Sequence, residues 1–163
     1  MITSLMLNPT LGYSQAVRAG NLLLVSGQVA VNEQGETVGI GDPKAQAERV
    51  FENLRAMLTA AGADLPSVAM MRTYATSLGF LPQIREARLR VFGPTGHFPA
   101  STFVVVSSLA KPEYLVEIEA VAVVGDAIAP RAAARTKTPS TKAAARSARR
   151  RPSSPRRRTA RRR

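Results

Sequence analysis

The segment 97–124 constrains the fold most strongly, because it predicts two buried strands in quick succession. Residues 102–107 and 114–124 are rich in β-branched and aromatic side chains, which is the composition typical of strands. The second strand carries Glu117 and Glu119, and a spacing of two places both carboxylates on one face of a sheet. Such a pair can divide acid and base roles when its surroundings separate the two pKa values. Two solvated charges at the end of a sheet are the alternative.

The rest of residues 1–125 alternates strand and helix patterns. Apolar residues recur at spacings of three and four after Asp42-Pro43, which is typical of an amphipathic helix that starts at a capping aspartate. The order β-β-α-β-α-β-β, with an extra short strand within 29–40, predicts an α+β fold in which two helices pack on one face of a mixed sheet. The predicted elements are strands over 14–19 and 22–28 around a Gly20-Asn21 turn, a helix from 43 to 61, a strand over 68–76, and a helix over 82–92.

The second helix has one apolar face and one charged face. Ile84, Ala87 and Val91 are predicted to face the core. The charged residues of this helix are predicted to face mostly water; they are Arg85, Glu86, Arg88 and Arg90.

Two strands carry apolar residues at successive positions rather than at alternate ones. Residues 22–25 and 103–106 are uninterrupted apolar runs, which favour strands with both faces buried. Two helices can cover only one face of a sheet. The other face is therefore expected to pack against further subunits.

The positive charge is confined to the end of the chain. Of a net charge of +12, residues 1–125 contribute −1, from 9 basic and 10 acidic residues. Residues 126–163 contribute +13, from 14 basic residues and one aspartate. The sequence therefore predicts a nearly neutral domain over 1–125 and a basic tail over 126–163.

Composition also excludes several kinds of site. Cysteine is absent and histidine occurs once, which excludes disulfides and thiolate ligands and argues against a metal centre. No metal or cofactor is expected. The chain shows neither a signal-peptide pattern nor an apolar run long enough to span a membrane, so a cytoplasmic protein is expected.

The tail has the composition of a disordered polycation. It is dominated by Ala, Pro, Arg, Lys, Ser and Thr, and lacks the apolar residues that a folded core needs. Such a segment suits nucleic acid, with binding that tolerates any sequence and weakens with salt. Acidic membranes, acidic proteins, or no selected partner at all are the alternatives. The residues assigned to polyanion binding form three triplets: Arg149, Arg150, Arg151, Arg156, Arg157, Arg158, Arg161, Arg162 and Arg163.

Six short motifs between residues 12 and 124 together resemble the RidA/YjgF family, also called the endoribonuclease L-PSP family. Members of this family are small trimeric proteins that hydrolyse reactive enamines and imines. Each motif is weak alone, but the six occur in the family's order at compatible spacing. They are residues 13–17, Gly20-Asn21, residues 24–28, residues 52–54 with 60–63, Phe98-Pro99-Ala100, and residues 116–123.

The resemblance implies a chorismate-mutase-like fold that trimerises through its sheets, with a small-molecule cleft between subunits. In the family, a glutamate at the position of Glu117 orients or activates the hydrolytic water. Tyr13, Ser26 and Gly27 fall at positions that line the same cleft. An arginine directly after Pro-Ala holds the substrate carboxylate as a two-donor fork.

The chain departs from the family pattern within this cleft. Ser101 stands where the arginine is expected, and Phe103 stands where a small residue is common. Both are assigned to substrate binding. Arg85 falls near a position where the family often has asparagine, so it either replaces the missing charge or belongs to a solvated helix face. Ser101 as a nucleophile served by His97 is a further alternative.

The sequence is compatible with three functions. The first is a divergent RidA-like hydrolase, acting as a homotrimer on enamine or imine intermediates with Glu117 assisting water. The second is a family member that binds a small molecule without turning it over. The third is a protein that binds nucleic acid or another polyanion through its tail.

Overall fold

The chain folds around one mixed sheet, as seen in a computed structural model that describes residues 2–5 and 12–125. The strand order is β1-β2-β3-β6-β4-β5, in which β4 and β5 are parallel and every other neighbouring pair is antiparallel. The predicted α+β fold with two helices on a mixed sheet is confirmed. The elements are β1 Ile2–Leu5, β2 Ala16–Ala19, β3 Leu22–Val29, α1 Pro43–Ala60, β4 Val68–Ala75, α2 Leu81–Phe92, β5 Ala100–Val105 and β6 Val116–Val123.

The extra strand lies elsewhere than the sequence predicted. β1 pairs antiparallel with β2 at one edge of the sheet, whereas segment 30–40 forms a loop closed by a single bridge between Val31 and Thr37. The prediction of an extra strand within 29–40 was therefore wrong. Four residues without alternation give too weak a local signal, and β1 is defined by its partner strand rather than by its own pattern.

Helix α1 forms as its cap and apolar stripe predict. The Asp42 side chain accepts hydrogen bonds from the backbone nitrogens of Lys44 and Ala45, at 2.9 and 3.1 Å. Phe51 of α1 meets Phe92 of α2 edge to face, with ring centroids 6.1 Å apart. The buried stripe of α1 covers β3 and β6 and comprises Ala47, Val50, Phe51, Leu54, Met57 and Leu58.

A buried glutamine ties α1 to the segment that leads into β6. The Gln46 amide nitrogen donates to the carbonyls of Gly39 and Glu113, at 3.2 and 2.7 Å, and its oxygen accepts from the Leu115 nitrogen at 2.8 Å. Gln46 is fully buried, so water cannot take the place of its side chain as the hydrogen-bond partner of these backbone groups. These three hydrogen bonds fix the segment that leads into β6, because Leu115 lies two residues before Glu117.

Gln46→Ala should lower the free energy of unfolding by about 2–4 kcal/mol, because it leaves buried backbone groups without partners. Urea unfolding followed by circular dichroism measures this change. Gln34→Ala, at an exposed loop position, is the matched control and should change stability by less than about 0.5 kcal/mol. An equal effect of the two substitutions would contradict the role given to Gln46.

The sheet face away from the helices stays open in the single chain. Leu23 and Val25 are buried beneath the helices, whereas Leu22 and Leu24 are 43% and 45% exposed. Burial of both faces of this run is therefore not achieved within one chain. In the described ranges, neither helix has the length and apolarity that a membrane crossing requires.

Candidate functional site

Glu117 lies directly over the backbone of Gly27. A Cβ atom built on Gly27 would stand 1.9 Å from Oε1 of Glu117 and 2.8 Å from its carboxyl carbon. No side chain larger than hydrogen can occupy position 27 while the carboxylate stays where it is. Glycine is therefore required at position 27 because the Glu117 side chain approaches the backbone closely, and not because of an unusual φ angle.

A β-bulge shapes the same part of β3. Val25 pairs with Ala120 and Gln28 with Ile118, so β3 uses one residue more than β6 between the two pairs. The extra residue falls at Ser26-Gly27. Bulges re-aim side chains and are common beside functional sites.

The bulge is tied to the segment that carries Tyr13. The Ser26 hydroxyl donates to the carbonyl of Ser14 at 2.8 Å, and the Ser26 nitrogen donates to the carbonyl of Gln15 at 3.0 Å. Tyr13 precedes this contact by one residue, and half of its surface is exposed. The structure thus brings Ser26, Gly27 and Glu117 together at one bulge, and Tyr13 is next in sequence to a residue that is bonded to it.

The two glutamates of β6 share a face and differ in their electrostatic surroundings. Glu119 forms an ion pair with Arg72 of β4, and that hydrogen bond raises the pKa of Arg72. Within the described residues, no Lys or Arg nitrogen lies within 4.0 Å of Glu117. Burial first, and the charge of Glu119 second, raise the pKa of the Glu117 carboxyl above its ordinary 4.5. Burial and a neighbouring like charge thus favour the protonated form of Glu117 relative to a solvated glutamate.

Ser101 and Phe103 lie on the other side of the sheet. They pair with Met71 and Thr73 of β4, which are buried beneath the helices, and Phe103 packs against that core. Glu117 pairs with Tyr74, on the open face. β4 also separates β5 from β6, so the backbones of β5 and β6 are about 10 Å apart. A single chain does not bring Ser101 and Phe103 together with Glu117.

Within the described residues, no hydrogen bond joins the Ser101 side chain to His97 or Arg85. Nε2 of His97 lies 2.9 Å from the carbonyl oxygen of Val68 and donates to it, because a carbonyl can only accept. That bond gives His97 a structural partner outside any Ser101 pair. Arg85 is exposed on α2. The nine tail arginines lie outside the described residues.

Arg88 was missed as a site candidate and does not behave as predicted. The sequence placed it on the water-facing side of α2, but it is half-buried and its Nη2 donates to the Thr73 hydroxyl at 3.4 Å. A signal was present, because position 88 continues the stripe of Ile84 and Val91 at spacings of four and three. Because arginine is charged, the sequence predicted a solvent-exposed side chain at this position.

Comparison with known proteins agrees with this architecture. The family model for Endoribonuclease L-PSP matches residues 3–124. A RutC family protein from Pyrococcus abyssi is 37% identical over 110 residues, covering 68% of this chain and 84% of that protein.

A relative from Dermatophagoides farinae is named 2-iminobutanoate/2-iminopropanoate deaminase. It is 31% identical over 112 residues, covering 69% of this chain and 85% of its own. The crystal structure of RidA from an Antarctic Psychrobacter species is 35% identical, with a TM-score of 0.64 over 69% of this chain and 87% of that one. A match across the whole described domain, in both sequence and fold, means that this chain belongs to the RidA/YjgF (Endoribonuclease L-PSP) family.

Proposed function

We propose that the chain hydrolyses enamine or imine intermediates, with Glu117 assisting the attacking water and without an arginine after Pro-Ala. This proposal rests on the position and the electrostatic surroundings of the Glu117 carboxyl. It lies against the Gly27 backbone, lacks a cationic partner among the described residues, and has a raised pKa. The Dermatophagoides farinae relative is named for the same class of reaction.

The chemistry needs one group that can take and return a proton. Water adds to the carbon of the iminium ion while Glu117 accepts a water proton, so a C–O bond forms as the C=N π bond breaks. The proton then passes to nitrogen, and the C–N bond breaks as an oxygen lone pair forms the C=O bond. Ammonia leaves, and Glu117 accepts the remaining hydroxyl proton and releases it to solvent, which leaves the carbonyl product. A carboxyl whose pKa lies closer to neutral pH than an ordinary glutamate is better suited to both transfers.

We place the cleft between subunits of a homotrimer. Ser101 and Phe103 lie on the opposite face of the sheet from Glu117, so a pocket that contains all three residues requires a second copy. Leu22, Leu24 and Val104 leave apolar surface exposed on the open face, as an interface between copies would require. Sedimentation equilibrium should give three times the chain mass of 17.4 kDa.

The test of the activity generates 2-aminoacrylate in situ, lets it tautomerise to 2-iminopropanoate, and follows release of the keto acid. The release rate should rise in proportion to protein concentration above the spontaneous rate. A release rate independent of the protein would remove this substrate. Saturable binding of a small molecule without turnover, seen as a thermal shift, would favour the non-catalytic family member instead.

The basic tail supports a second candidate function, which is binding of nucleic acid. Its charge of +13 is separate from a nearly neutral domain, and a trimer would present three tails at once. Phosphate neutralisation releases counterions, so affinity for duplex DNA should fall about 10³-fold or more between 50 and 200 mM salt.

Truncation after Gly125 should abolish that binding in a fluorescence anisotropy titration. A matched variant keeps the tail length and replaces the nine triplet arginines by glutamine; it should lose most of the affinity and of the salt dependence. DNA binding that survives the truncation would contradict the tail account.

A further inference from the structure

Arg88 is a half-buried cation without a counter-charge. No carboxylate within residues 12–125 lies within 4.0 Å of its guanidinium group. Its Nε is buried and has no hydrogen-bond partner, and its one bond, from Nη2 to Thr73, is long at 3.4 Å. Burial first, and the nearby charge of Arg85 second, lower the pKa of Arg88. A cation held in this way is destabilising until an anion arrives.

The position of Arg88 links it to β5. Thr73, which accepts its hydrogen bond, pairs with Phe103, and Phe103 lies on the same face of β5 as Ser101. Ser101 precedes Phe103 by two residues, which is a rise of about 7 Å along the strand. The guanidinium group therefore lies at the level of Phe103 on this face of the sheet, and the exposed Ser101 follows on the same face one side-chain repeat away.

We propose that Arg88 is the anion-holding residue of this cleft, and that it binds the carboxylate of a 2-imino acid from helix α2 instead of from β5. The proposal rests on the proposed function for the identity of the anion. Arginine presents paired N–H donors that match the two oxygens of a carboxylate, and partial burial strengthens that match. The substrate class is thereby restricted to imines that carry a carboxylate, rather than neutral imines.

A stable product is the sharpest probe, because it separates binding from turnover. 2-Oxobutanoate is the keto acid that hydrolysis of 2-iminobutanoate releases, and 2-oxobutanamide is its uncharged counterpart. Isothermal titration of the full chain should show saturable binding of 2-oxobutanoate. Arg88→Met should raise its Kd at least tenfold and leave the Kd of the amide within twofold. Arg85→Met, one turn away on the exposed face, is the matched control and should leave both values within twofold.

The melting temperature distinguishes an arginine that binds an anion from one that stabilises the fold. Arg88→Met removes an uncompensated buried charge, so its Tm should equal or exceed that of the natural chain. Arg88→Lys keeps the charge and loses the fork, and should raise the Kd several-fold; it decides the matter if the methionine variant does not fold.

Three binding results would overturn the proposal. They are no saturable binding of 2-oxobutanoate by the natural chain, a Kd for 2-oxobutanoate that is the same in the Arg88 variants as in the natural chain, and an equal loss of affinity for the acid and the amide. A changed assembly mass in Arg88→Met would also overturn it, since Arg88 would then pair with a carboxylate of another copy. Binding that depends on Arg88 in a chain without turnover would refute the hydrolase alone.

Discussion

Glu117→Gln should lower the rate of keto-acid release by about 100- to 10,000-fold, the range typical of a lost general base. The amide has nearly the same shape, so it still fits over Gly27, but it cannot accept a proton from water. The KM for the imine should change little, because no binding role is given to this carboxyl. Rates measured at several imine concentrations separate the two parameters.

The same variant carries a stability signature with a definite sign. The folded chain raises the pKa of Glu117, so it disfavours the ionised form relative to the unfolded chain. That penalty is absent below the ordinary pKa of 4.5 and grows as pH rises through the raised value. Glu117→Gln should therefore be more stable than the natural chain at pH 7, and the difference should vanish near pH 4.

Glu119→Gln is the matched control for Glu117. It alters the neighbouring carboxyl on the same face, which Arg72 already neutralises. Its rate of keto-acid release should fall less than tenfold, and the pH profile of activity should shift towards lower pH because a charge that raises the pKa of Glu117 is gone. Equal losses of activity in the two variants would contradict the division of roles.

Gly27→Ala should lower turnover about 100-fold, because the new methyl group occupies the position of the Glu117 carboxylate. Oε1 would lie 1.9 Å from the added Cβ, so the carboxyl has to move by an ångström or more. A displacement of this size at a reacting group costs about two orders of magnitude in rate. The overpacking should also destabilise the fold by about 1–3 kcal/mol.

Gly93→Ala is the control for that substitution. Gly93 has φ −51°, and apart from its two chain neighbours nothing lies within 4 Å of a Cβ built there. Alanine at position 93 should keep full activity, but no gain in stability is expected, because a residue before a proline avoids the helical conformation that position 93 adopts. Full turnover in Gly27→Ala would mean that the position of Glu117 over Gly27 does not matter for the reaction.

Periodicity in the sequence predicts most of the fold. The capped α1, the second helix and the two strands of segment 97–124 all follow from apolar spacing and turn residues. The resemblance supplied the rest of the architecture. The short strand β1 carries no such pattern, because its position depends on β2.

The candidate site was only partly predictable. Alternation on β6 places Glu117 and Glu119 on one face, and that prediction is confirmed. The bulge at Ser26-Gly27 depends on the register between β3 and β6, which no local pattern reveals. The same holds for the location of Ser101 on the opposite face from Glu117.

The burial of Arg88 could not be predicted from the sequence because the residue is charged. Its spacing belongs to the apolar stripe of α2, but arginines are mostly exposed, so the pattern favoured a solvated side chain. A buried cation at a stripe position is the kind of local conflict that functional sites retain.

One measurement tests the central claim most directly, namely keto-acid release from 2-iminopropanoate with the natural chain, with Glu117→Gln, and without protein in the same assay. The natural chain should accelerate release in proportion to its concentration, and Glu117→Gln should approach the rate without protein. Equal rates in all three samples, or equal acceleration by both proteins, would contradict hydrolysis assisted by Glu117.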